Sequence, residues 1–417
     1  MRATVINIGT LLMTAGVLAA GEGLLHTLLA LRGAMEGFTY EELGILTTGY
    51  YMGFLCGCIM TPRLVKRTGH IRAYATLAAI AGAVALMQIF IVHSAAWFVM
   101  RIVFGLCIAG IYMVLESWLN DSTANDARGR VFATYRISAL SGLTVGQLML
   151  ASFDPAGFEL FAIVAIFISL SLVPIALTTS KAPIPMASVQ IRPLHLFRDA
   201  PAGAYGCLVV GLVGGAYNGL APVFASAAGL TTPQIALFMG FAVVGGALSA
   251  WPIGALSDRF DRRRVLAGVT AASALVGISF VLAASFAPRW IILLSFAYGA
   301  SAWSIYAIAV AHTNDRIAAE AFVGIAAGLL VIFAVGAITG PILAAFVIGG
   351  AGPKGLFLFT AAVHTTYALY LALRITRQDP VPEGAVVPFE PVPATSPMVL
   401  EMDPRSDSEA PNQPDAT

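Results

Sequence analysis

Apolar residues run along this chain in blocks of roughly 20, the length of helix needed to cross ~30 Å of hydrocarbon at 1.5 Å per residue. Short polar or basic segments separate the blocks. They predict membrane spans at 6–30, 43–63, 73–93, 96–117, 131–151 and 158–177, then at 202–225, 234–256, 265–287, 290–312, 321–348 and 355–374. The expected fold is therefore an all-α membrane protein of twelve transmembrane helices. Hydrophobic residues make up 58% of the 417 positions and charged residues 11%. Soluble domains carry about 25% charged residues, so a water-soluble enzyme is excluded.

The pattern repeats. Gly105, Tyr112, Asn120 and Asp121 of span four recur 194 residues later as Gly299, Tyr306, Asn314 and Asp315 of span ten. Gly142 and Gly146 recur at the same offset as Gly336 and Gly340, and Thr39 and Gly53 recur 192 residues later as Thr231 and Gly245. Two six-helix bundles in parallel orientation follow, 1–177 and 201–375, which places a solute site between them near the midplane. The segment 178–200, with Lys181, Pro183, Pro185 and Arg192, reads as a cytoplasmic loop, and 376–417 as a disordered tail rich in Pro, Asp, Glu and Ser. The first block follows Met1-Arg2 and contains Ala19-Ala20, features shared with signal peptides. The even span count and the repeat favour a retained span.

Net charge is only +1, but its distribution is informative. Arg63, Lys66, Arg67 and Arg72 follow span two, and Arg259, Arg262, Arg263 and Arg264 follow span eight, whereas the other side has Arg32, Arg289 and Lys354. By the positive-inside rule both termini are cytoplasmic. Cys56, Cys58, Cys107 and Cys207 all fall inside spans, so neither a disulfide framework nor a metal site is expected. No phosphate-cradling glycine-lysine loop occurs, so direct ATP drive and cofactor chemistry are not expected either.

The run from Gly254 through Asp258-Arg259 to Arg262-Arg263-Arg264, closing span eight, resembles the signature loop of the major facilitator superfamily. In the matching loop after span two Lys66 stands where the family has its aspartate, while Arg67 and Gly69 agree; in the second copy Asp261 replaces the later glycine. The resemblance covers residues 1 to about 375. It implies a latch on the outward-open state, made by Asp258, Arg259 and Arg262 with Asp315 and by Arg67 and Arg72 with Asp121. The plainer alternative is that these arginines only set topology. Arg101 and Gly105 resemble the family's Arg-x-x-x-Gly pattern implicated in proton coupling. An intramembrane arginine costs at least ~2.5 kcal/mol and needs a partner, water or an interface to snorkel to. The run Glu116-Ser117-Trp118-Leu119-Asn120-Asp121 resembles that of a little-characterised bacterial branch. The Gly-Pro ending that marks span five of drug antiporters is missing, and Gly340-Pro341 occurs in span eleven instead.

Few ionisable groups lie deep in a span. Glu22 and His26 are four apart on one helical face, and their repeat counterparts are Asn218 and Pro222. A carboxylate beside an imidazole suits proton coupling; a structural Glu with an interfacial His is the other reading. Tyr112, Glu116 and Asn120 form a polar stripe on span four, with Arg136 the expected partner of Glu116. Tyr51, Tyr112, Tyr217, Trp303 and Tyr306 could stack on a flat organic ring or simply pack helices.

These features together point to a secondary transporter, monomeric, in a bacterial inner membrane, with a small solute and protons as partners and no nucleic acid. Uptake of an amphipathic or planar metabolite, a vitamin such as riboflavin for example, is the leading expectation. Proton-coupled efflux and a transport-inactive scaffold or sensor are the alternatives.

Overall fold

The computed structural model describes residues 2–123, 127–176, 193–286, 290–316, 322–377 and 389. All regular structure among them is helical. In chain order the helices are α1 (Arg2–Met35), α2 (Tyr40–Thr68), α3 (His70–Phe90), α4 (Ser94–Asp121), α5 (Arg128–Met149), α6 (Glu159–Ala176) and α7 (Pro193–Asp199). They continue as α8 (Pro201–Ala227), α9 (Thr232–Arg259), α10 (Arg262–Phe286), α11 (Ile291–Ala302), α12 (Ser304–Asn314), α13 (Phe322–Ala351) and α14 (Gly355–Arg377).

Eleven of the described helices are long and apolar enough to cross a membrane, with α11 and α12 counted together. By its place in the chain α5 supplies the twelfth span, and Arg128, Arg130 and Arg136 make it the least apolar. Two features add detail to the sequence expectations. Span ten breaks at Trp303, between α11 and α12. The expected loop 178–200 is helical over Pro193–Asp199, where Leu196 is buried and meets Gly328 of α13. The expected tail begins at 378 rather than 376, since α14 runs to Arg377, and residues 178–192 and 378–417, apart from Phe389, lie outside the described residues.

The two halves are packed alike. In the first, α1 packs on α5 and α6, α2 on α4, and α3 on α4 and α6; in the second, α8 packs on α13, α9 on α11, and α10 on α14. The repeated glycines explain why. A side chain at Gly53 would strike the Ile102 carbonyl and one at Gly105 the Tyr50 carbonyl. Their repeats Gly245 and Gly299 face the carbonyls of Phe296 and Ala242, so a single helix crossing is built twice. In hydrocarbon, where apolar side chains gain little by leaving lipid, such close backbone approach supplies the packing energy. The helix starts are duplicated as well: the Thr39 backbone N–H donates to Glu42 at 2.8 Å and that of Thr231 to Gln234 at 2.9 Å, closing the ends of α2 and α9.

Contacts between the halves lie at the end of the bundle away from the basic loops. Thr48 on α2 donates to the Ile338 carbonyl of α13 at 2.7 Å, and Asn218 on α8 donates to Tyr51 at 3.0 Å. Gly44 lies against Pro341, Gly219 against Thr47, and Gly240 of α9 against Thr144 and Leu148 of α5.

Candidate transport site

Between the halves, on the basic-end side of those contacts, lies a cavity of about 380 Å³. Its lining is mostly apolar and aromatic, and includes Glu22, His26, Tyr51, Tyr112, Tyr217, Asn218, Trp303 and Tyr306. These are residues that the sequence singled out, brought from α1, α2, α4, α8 and the α11–α12 break to one wall or the other.

The first-half wall is a hydrogen-bonded cluster around Glu22. Tyr50 of α2 donates to Glu22 Oε1 at 2.5 Å, and Tyr112 of α4 donates to Oε2 at 2.6 Å. His26 Nε2 stands 3.6 Å from Oε1, one helical turn along α1. The other ring nitrogen, Nδ1, is 3.1 Å from Arg101 Nη2 of α4. A guanidinium has no acceptor, so Nδ1 accepts and the ring hydrogen sits on Nε2, toward Glu22. Arg101 is 3% exposed and its guanidinium lies 4.5 Å from the centre of the Tyr50 ring. It does not snorkel; it joins the cluster. Three helices thus surround one carboxylate that accepts from two phenols.

Glu116 is fully buried one turn beyond Tyr112 and accepts from Tyr135 of α5 at 2.6 Å. Tyr135 precedes Arg136, the partner proposed from sequence, and Arg136 lines the cavity. Gln147 accepts from Thr27 of α1 at 2.5 Å. Tyr50 and Tyr135 escaped the sequence reading because no spacing along one helix ties them to a carboxylate. The approach of α2 to α1 and of α5 to α4 does that.

The second-half wall is aromatic. Tyr217 stacks on Tyr298 with ring centres 5.5 Å apart and meets Trp303 edge-on at 5.5 Å. Phe280 stacks on Phe357 at 4.0 Å behind them, and Tyr306 meets Phe333 edge-on at 5.6 Å. The Tyr217 hydroxyl is buried with no hydrogen-bond partner among the described residues.

At the basic end, Arg262 bridges Asp315 at 2.7 Å and Asp258 at 3.1 Å, so three of the four expected latch residues of the second half meet; Arg259 is exposed. Arg263 pairs with Asp261 at 2.7 Å. Burial disfavours charge on Asp261, but hydrogen bonds from the Arg263 guanidinium and backbone N–H outweigh it and hold the carboxyl below the usual aspartate range. Arg67, Arg72 and Asp121 are exposed, and no ion pair among the described residues joins them. Lys66, standing where an aspartate would sit, leaves that loop without the acid that gathers the arginines in the second copy.

Comparison with known proteins agrees with this architecture. The family described as Major Facilitator Superfamily matches residues 11–334. An uncharacterized MFS-type transporter YcaD of Salmonella dublin is 30% identical over 378 residues, 90% of this chain and 96% of that protein. The solved nucleoside transporter NupG superposes with a TM-score of 0.73 at 13% identity, over 91% of this chain and 100% of that one. A D-xylose-proton symporter gives 0.67 at 15% identity, over 90% and 98%.

Proposed function

The chain belongs to the Major Facilitator Superfamily and is a transporter of a small solute rather than an enzyme, and we propose that it is a proton-coupled carrier of a planar or amphipathic organic metabolite, working in uptake. The observation that carries this reading is the Glu22 cluster, a carboxylate with two phenol donors and a His–Arg pair, set in the wall of the cavity between the halves.

The coupling follows from hydrogen-bond counting. A charged carboxylate only accepts; a protonated one also donates and accepts more weakly, which weakens the bonds that its present donors make. Tyr50 is such a donor, and its neighbours Tyr51 and Thr48 make the bonds from α2 to the second half. A proton on Glu22 therefore loosens the contact at the far end, and the solute seen by Tyr217, Asn218 and Trp303 biases the same equilibrium. Rocking of 1–177 against 201–375 would then expose the cavity alternately. With the basic end cytoplasmic, the present arrangement is inward-facing. An aromatic wall and a cavity at the small end of the 300–1,000 Å³ range suit a compact ring, a vitamin such as riboflavin being one candidate.

Proteoliposomes loaded with ring metabolites test it. Glu22→Gln keeps the shape of the protonated side chain but cannot titrate, so it should abolish accumulation driven by a pH gradient while solute counterflow continues. A Glu22→Gln carrier that concentrates solute as steeply as wild type at every pH would refute the coupling.

A further inference from the structure

Gly254 and Asp258 lie four residues apart on α9 and so share one face at the mouth of the cavity. Both are engaged by Phe389, which lies well beyond the end of α14. Its backbone N–H donates to both carboxylate oxygens of Asp258, at 2.9 and 3.1 Å. Its ring fills the space above Gly254: a Cβ built there would meet only Phe389 ring atoms among its nearest neighbours. Phe389 also lines the cavity and packs on the apolar cluster that contains Ile305 and Tyr306. The acid needs such donors, because it sits in the last turn of α9, where the helix dipole disfavours an anion.

We propose that the Gly254–Asp258 face of α9 is a docking site for the chain's own C-terminal tail, with Phe389 as its anchor. The two halves of the site do different work. The carboxylate holds the main chain of the tail, and the glycine niche selects an aromatic side chain. Docking places the Phe389 ring on the route between the basic end and the cavity, so that ring covers the site from that side. It also ties the tail to the signature loop, because Asp258 shares Arg262 with Asp315. Phe389 must leave before a solute enters from this end.

The test uses the full-length protein with its four cysteines replaced and a reporter cysteine at Ala250, a residue of the cavity wall on α9. A second reporter is placed at Leu148, at the far-end contact. Maleimide labelling of the purified protein should quicken several-fold at Ala250→Cys in Phe389→Ala, which leaves every transmembrane helix untouched. Gly254→Ala, whose Cβ displaces the ring, should quicken it equally, and the double variant should add nothing further because both changes remove one contact. Labelling at Leu148→Cys should stay constant. An unchanged rate at 250 in Phe389→Ala, additive effects in the double variant, or a change mirrored at 148 overturns the proposal.

Discussion

The two walls of the cavity come from one repeated unit, and their chemistry has parted. Glu22 and His26 of α1 correspond to Asn218 and Pro222 of α8, and Arg101 and Phe104 of α4 correspond, 194 residues on, to Ser295 and Tyr298 of α11. Every titratable group of the first wall is neutral in the second. What the halves keep is the scaffold: the glycine crossings of α2 with α4 and α9 with α11, and the caps at Thr39 and Thr231. A duplicated bundle can hold its packing fixed while the two halves diverge at the site, as the proposed division into a proton wall and a solute wall requires. Scaffold changes should therefore act equally on both halves, and site changes unequally.

The largest expected effects test the shared scaffold. Gly53→Val and Gly245→Val each force a branched side chain against a carbonyl of the neighbouring helix, at a cost of about 3 kcal/mol or more. Thermal unfolding in detergent should show matched losses. A large loss in one half and none in the other would break the equivalence.

Next come the tyrosines. Tyr50→Phe removes a donor from a buried carboxylate, which costs about 1.5–3 kcal/mol. Tyr217→Phe removes a hydroxyl that has no hydrogen-bond partner among the described residues, so stability should change by less than about 0.5 kcal/mol. Solute affinity should nonetheless fall in Tyr217→Phe, by about ten-fold if one hydrogen bond of ~1 kcal/mol or slightly more is lost. Isothermal titration with the ring solute checks the second effect, and equal melting losses in the two variants would contradict the contrast.

The smallest effect lies at the basic end, where Asp261 sits in place of the family's glycine. Its carboxyl is held below the ordinary range by Arg263, so its contribution to stability is complete above the unfolded aspartate value of about 4 and drains away as pH falls through the lower folded value. Asp261→Asn should lower the melting temperature slightly at neutral pH and flatten its dependence on pH in that acid window, where the two proteins converge.

How far the sequence reveals this molecule depends on distance along the chain. The spans, the repeat and the Glu22–His26 pair are local or periodic, and periodicity survives folding. The repeat even marked the glycines that fix the helix crossings. Arg101 was visible, but its partner was not, because His26 lies 75 residues away on another helix. Tyr50 as a donor to Glu22 and Tyr135 as a donor to Glu116 depend in the same way on crossing geometry. The break at Trp303 escaped notice since no proline or glycine marks it; Ser301 and Ser304 there bond carbonyls of the preceding turn, at 3.0 and 2.9 Å, which is a weak signal in sequence. In the first half Arg67 and Arg72 look like the motif, while Lys66 stands in place of its acid and no ion pair among the described residues joins them to Asp121.

The central claim, that a proton on Glu22 is read at the far-end contact between the halves, can be measured without knowing the solute. Spin labels at Leu148 on α5 and Leu237 on α9, both partly exposed beside that contact, report the separation by pulsed electron resonance across a pH series. The expected result is a population of longer distances that grows on acidification in the wild type and is independent of pH in Glu22→Gln. The same pH dependence in both proteins would contradict it.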